Sequence, residues 1–137
     1  MKEPLAHRSD SRSTMDFLVK LNILIEGVLG LGLLSAPSLI VRALLGHSIS
    51  GVSLPLARVA GLGFLSLGIA CWPSGSGERS SGKLDSAFHA LLTYNVLVTL
   101  YLLFLGVAGE FVGPLLWPAV ALHAILTLLL TRQYFQF

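Results

Sequence analysis

The sequence predicts an all-α integral membrane protein, an antiparallel four-helix bundle with short loops and a short interfacial helix after the first span. Three observations predict it. Of 137 residues, 54% are hydrophobic and 12% charged, with a mean hydropathy of +0.79. A water-soluble domain needs about 25% charged residues to keep its surface wet, and a disordered chain would be poor in hydrophobes. The few charges cluster at the N-terminus and in short connections, leaving long charge-poor runs between them. Those runs are continuously apolar rather than alternating, which selects helices over a β-barrel, the other structure that satisfies its backbone in lipid.

A span needs about 20 apolar residues to cross a hydrocarbon core of ~30 Å at ~1.5 Å per residue. Residues 1–16 read as a cytoplasmic tail and 17–137 as a single four-span domain. The first span is expected near Phe17–Ser35, with Glu26 the only charge between the bracketing Lys20 and Arg42. Pro37 should end it, because proline disfavours helical geometry in the residue before it. Leu39–Leu45 then reads as a short helix lying at the membrane surface with Arg42 reaching water. Gly46–Ser53 reads as a Gly/Ser loop. The second span is expected near Leu54–Trp72, followed by a flexible polar loop, Pro73–Lys83. The third is expected near Ser86–Gly106 with Asp85 or Ser86 as its cap, and the fourth near Gly113–Thr131 with Pro114 in its first turn. Basic residues ahead of an apolar run resemble a signal peptide, but Glu26 inside that run and the lack of a small-x-small cleavage site argue against cleavage.

Cytoplasmic loops are enriched in Lys and Arg. Four spans place Lys2, Arg8, Arg12, Lys20, Arg79, Lys83 and Arg132 on one side and Arg42 and Arg58 on the other, seven of the nine basic residues against two. Both termini are therefore expected in the cytoplasm, and a bacterial inner membrane is the expected location. The net charge of +2 with no basic helix speaks against nucleic acid as a partner. Membrane lipids, other membrane subunits or self-association are the partners expected. Cys71 stands alone, so neither an intramolecular disulfide nor a CxxC pair can form.

Ionisable and polar groups at membrane depth are costly and are the default functional candidates. Counted from the expected outer span ends, Glu26 lies ~13 Å down, Asn95 ~16 Å, His123 ~15 Å and Arg58 ~6 Å. Glu26, Asn95 and His123 thus share a layer, and Arg58 is expected to bend inward and pair with Glu26. Two readings stand. Such a cluster can exchange protons with a bound lipophile, or it can merely fix helix register. Asn95 with Thr99 suits interhelical bonding, and His123 with Thr127 shares one face. No catalytic residue or metal ligand set is expected. A haem between His89 and His123 meets a depth mismatch of ~10 Å, and no cofactor is expected.

Gly30–Ser35 (GLGLLS) and Gly61–Ser66 (GLGFLS) lack the strand, third glycine and solvated phosphate site of a dinucleotide fold. Small residues in apolar helices instead let backbones approach. Gly27, Gly30 and Gly32 on the first span, with Ala57, Gly61 and Gly68 on the second, predict close packing of that pair. Trp72, Tyr101, Trp117, Tyr134, Phe135 and Phe137 lie mostly near span ends, as aromatic belts do.

The four spans, Glu26 followed by glycines, LPLARVAGLGFLSLGIA (Leu54–Ala70), HALLTYN (His89–Asn95) and LLWPAVALHA (Leu115–Ala124) together resemble the small four-helix bacterial membrane proteins of the DoxX-like type. The resemblance covers nearly the whole chain past residue 15. It implies a setting beside larger respiratory or redox assemblies. The redox cysteines of some relatives have no counterpart beyond Cys71, so their thiol chemistry does not carry over. The expected role is a non-enzymatic accessory or scaffold subunit with a lipid or quinone groove. The alternative is an intramembrane enzyme or proton-coupled carrier using Glu26, Arg58, Asn95 and His123.

Overall fold

In the computed structural model, residues 4–72 and 78–135 are described, and among them five helices and no strand occur. They are α1 (Pro4–Ser35), α2 (Pro37–Leu45), α3 (Ser53–Ala70), α4 (Glu78–Ala108) and α5 (Leu116–Tyr134). Four contain a stretch long and apolar enough to cross a bilayer: Ser13–Ser35, Ser53–Ala70, Leu84–Ala108 and Leu116–Tyr134. The chain is thus an all-α integral membrane protein. Large apolar side chains such as Leu24, Val28, Val59, Ile69, Leu97 and Leu128 lie exposed along these spans, a surface that lipid solvates and water does not.

Several boundaries differ from those expected. α1 begins at Pro4 instead of near Phe17, because a helix nucleated in lipid propagates outward at low cost, helped by the Asp16–Lys20 ion pair at 2.6 Å one turn apart. Met15, in the expected tail, is buried against the bundle. Similarly, α4 starts at Glu78, so the second half of the expected Pro73–Lys83 loop is helical; residues 73–77 lie outside the described residues. A single interior glycine, Gly82, costs only ~1 kcal/mol, too little to stop that propagation. Asp85 and Ser86 therefore lie inside α4 and do not cap it; Ser86 Oγ donates back to the Gly82 carbonyl at 3.0 Å. At the other end, α5 starts at Leu116 and leaves Pro114 in the preceding turn. There the Leu115 N–H donates to the Ala43 carbonyl at 2.9 Å, which ties the connection to the end of α2 and keeps it out of the helix.

α2 follows α1 after a single residue, Ala36, and carries its proline in the first turn. It ends at Gly46, whose φ of 83° is left-handed and whose N–H bonds the Arg42 carbonyl at 2.8 Å. α1 and α3 run antiparallel and cross at Gly30 and Gly61. A Cβ on Gly30 would stand 2.8 Å from the Gly61 carbonyl oxygen, and one on Gly61 2.8 Å from that of Gly30. The two backbones touch, as small residues in membrane helices permit. α4 and α5 form a second antiparallel pair, and α1 also packs on both of them.

The interior divides by depth. Met15, Leu18, Val19, Ile23, Phe88, Leu91 and Leu130 form one apolar cluster, and Leu102, Leu105, Leu116 and Val120 form another. On α4 and α5 the residues between these clusters include Asn95 and His123, both buried.

Candidate functional site

Three helices supply one buried polar layer. Asn22 and Glu26 stand one turn apart on α1, Tyr94 and Asn95 are neighbours on α4, and His123 comes from α5. Asn22, Glu26 and Asn95 are each 0% exposed and His123 5%. The spacing of four places Asn22 and Glu26 on the same face of α1, the face that meets α4.

Two hydrogen-bonded strings run through the layer. In the first, the Tyr94 hydroxyl donates to Glu26 Oε2 at 2.9 Å. The other carboxylate oxygen, Oε1, is buried and has no hydrogen-bond partner among the described residues. In the second, Asn22 Nδ2 donates to the Leu18 carbonyl at 2.9 Å, and Asn95 Nδ2 donates to Asn22 Oδ1 at 2.6 Å and to the Leu91 carbonyl at 2.8 Å. Asn95 Oδ1 meets His123 Nδ1 at 2.9 Å. The strings approach where the Tyr94 and His123 rings stand edge to face, 5.9 Å between centroids. Because the alternative partner in hydrocarbon is nothing, such bonds fix helix register.

Beside this layer lies a chamber of about 630 Å³. α1 contributes Leu29 and Leu33, α2 Ile40 and Leu44, α3 Phe64, and α4 and α5 Leu97, Ala119 and Leu122; Tyr94 and His123 stand in its wall. A volume of 300–1,000 Å³ with apolar walls and a few convergent polar groups is the usual form of a small-molecule site. Leu97, Tyr101 and Leu122 on its rim are exposed, so it opens at hydrocarbon depth.

The expected cluster is assembled only in part. Glu26, Asn95 and His123 lie in the layer, but Arg58 does not, and the expected Glu26–Arg58 pair is absent among the described residues. The crossing of α1 and α3 explains this. Gly30 packs on Gly61, and Ile23 packs on Gly68 further along the antiparallel pair, so Arg58 stands level with Leu33. That is seven residues, ~10 Å, from Glu26 along the axis. Arg58 is exposed, and a long cationic side chain near a helix end reaches the interface at less cost than it bends inward. His89 is also outside the chamber; its Nδ1 meets the Asp85 carbonyl at 2.7 Å and its ring stands 5.6 Å from that of Tyr134.

Of the packing candidates, Gly30 and Gly61 form the α1–α3 crossing, Gly32 faces Ile40 of α2, and Gly68 faces Ile23. Gly27 has open space where a Cβ would stand, and Ala57 is half-buried. Asn22 and Tyr94 were not expected in the site. The signal for Asn22 was its place one turn from Glu26. For Tyr94 it was a position in mid-span rather than in an aromatic belt. No group of three metal-ligating side chains occurs among the described residues. No family model, curated protein or solved structure matches the chain.

Proposed function

We propose that this chain is a non-enzymatic membrane subunit that shelters a lipophilic molecule, a lipid or a quinone-type compound, in the chamber between its helices. It serves as an accessory or scaffold component of a larger assembly, of the respiratory or redox kind that the DoxX-like resemblance implies. It resides in a bacterial inner membrane with both termini cytoplasmic. The observation that carries the binding role is the chamber itself: about 630 Å³ of nearly wholly apolar space, open at hydrocarbon depth, with Tyr94 and His123 in its wall.

The test is to purify the protein in mild detergent and extract what travels with it. A lipophile should be recovered from the wild type at near-stoichiometric amounts and lost from a Leu122→Trp variant, whose indole obstructs the chamber at its rim, with the helix content by circular dichroism unchanged. Equal recovery from both proteins would refute the binding role. A partner protein should copurify in the same sample.

One observation favours a second reading, a proton-coupled carrier or intramembrane enzyme using Glu26, Asn95 and His123. Glu26 Oε1 is a buried carboxylate oxygen without a partner among the described residues, a costly arrangement when it serves packing alone. Glu26→Gln should then abolish transport or turnover, whereas in a scaffold it disturbs assembly only.

A further inference from the structure

The hydrogen-bond polarity of the chamber selects the head group of its ligand. The starting points are two backbone carbonyls, which can only accept. The Leu91 carbonyl lies 2.8 Å from one end of the Asn95 amide, so that end is the nitrogen, and Oδ1 is the end that faces His123. Likewise the Leu18 carbonyl takes the Asn22 nitrogen and turns its Oδ1 toward Asn95. Every amide in the string is therefore oriented without reference to histidine. Asn95 Oδ1 accepts, so His123 Nδ1 must carry the proton. In the uncharged ring Nε2 is then an acceptor with no hydrogen-bond partner among the described residues. The Tyr94 proton is committed to Glu26, which leaves the phenolic oxygen as an acceptor as well. Tyr101, the other hydroxyl on the chamber wall, is mostly exposed and two turns along α4, ~10 Å from Tyr94. With Tyr94 donating to Glu26 and His123 Nδ1 donating to Asn95, neither polar side chain at this end of the chamber has a proton to spare.

We propose that the chamber takes a single lipophilic molecule bearing a hydroxyl, an isoprenoid or long-chain alcohol or the hydroxyl of a quinol, whose O–H donates to His123 Nε2. Carbonyl-headed counterparts of the same shape, which only accept, bind more weakly, so among quinone-type compounds the chamber prefers the quinol form. The inference rests on the chamber being a binding site, as proposed above. Asn95 acts as the positioning residue, since its amide holds the imidazole in the accepting tautomer. Size agrees, because about 630 Å³ suits a drug-sized molecule.

The full chain in lipid nanodiscs, with tritiated farnesol as probe and farnesyl methyl ether and farnesal as competitors, tests this. The three share a chain and differ in whether the head donates. Farnesol should bind at least tenfold more tightly than the ether or the aldehyde, as expected where a buried acceptor is matched or left bare. His123→Phe should bring farnesol down to the level of the ether and leave the ether unchanged. Equal affinities, or a preference that survives His123→Phe, overturn the assignment while leaving the chamber a binding site. No binding above empty nanodiscs overturns both. A readout independent of any variant is the ¹⁵N spectrum of His123 in the wild type, which should show the proton on Nδ1; a proton on Nε2 overturns the assignment.

Discussion

At the scale of single residues, the polar layer shows how a membrane protein disposes of groups that lipid cannot solvate. Asn95 uses both ends of its amide, giving two bonds from Nδ2 and taking one at Oδ1, so three helices meet at one side chain. Thr127 shares its face of α5 with His123 yet leaves Oγ1 buried and without a partner among the described residues. The two should respond to substitution in opposite ways. Asn95→Leu keeps the branched shape but strands Asn22 Oδ1 and His123 Nδ1–H, each at a cost of ~1–3 kcal/mol. Thr127→Val removes a hydroxyl that bonds nothing among the described residues and should be neutral or slightly stabilising. Thermal unfolding in detergent measures both. A Thr127→Val protein less stable than Asn95→Leu would show that the layer is not what holds the helices in register.

At the scale of helices, the spans were legible because hydrocarbon dictates them. A stretch of about 20 apolar residues has no other use, and the four expected spans overlap the four observed ones. What lies outside the lipid was less legible. The ends of α1 and α4 depend on how far a nucleated helix propagates through polar residues, and hydropathy is silent on that. The start of α5 depends on a backbone bond to Ala43, 72 residues earlier. The misplacement of Arg58 has the same origin, since depth counted from approximate span ends cannot resolve the α1–α3 register that Gly30 and Gly61 set. Glu26, Asn95 and His123 were legible from their cost in lipid, whereas Asn22 and Tyr94 were hidden among residues that spans tolerate. The glycine crossing also separates two substitutions that sequence alone treats alike. Gly30→Ala drives a methyl to 2.8 Å from the Gly61 carbonyl, so α1 and α3 must part, at ~1–3 kcal/mol. Gly27→Ala points into open space and should cost nothing measurable. Chemical unfolding of the two variants side by side checks this, and equal losses would mean that the crossing is not the tight point of the pair.

At the scale of the whole molecule, the Ser35 end of α1, the Ala108 end of α4 and the Leu116 end of α5 are held together by α2, and the chamber follows from that arrangement. Leu115 bonds to Ala43, and His47 stands edge to face on Phe111 with centroids 5.9 Å apart. A Cβ on Gly113 would strike the Leu44 carbonyl, so the α4–α5 connection lies directly on the end of α2. Loops 46–52 and 109–115 therefore share one side of the membrane, and the Pro4 end of α1, the Ala70 end of α3, the Glu78 end of α4 and the Tyr134 end of α5 share the other. Seven of the nine basic residues fall on the latter side, so under the positive-inside rule we propose that it faces the cytoplasm. Exposed positions in each region permit a direct check in a Cys71→Ser background. Ser50→Cys and Val112→Cys should react with a membrane-impermeant maleimide added to intact cells, whereas Gly82→Cys, just outside the third span, should react only after lysis. If Gly82→Cys is the one that labels in intact cells, the charge asymmetry has been read with the wrong sign. If Ser50→Cys and Val112→Cys fall on opposite sides, the contact between α2 and the α4–α5 connection is not made in the membrane, and the chamber loses its end wall.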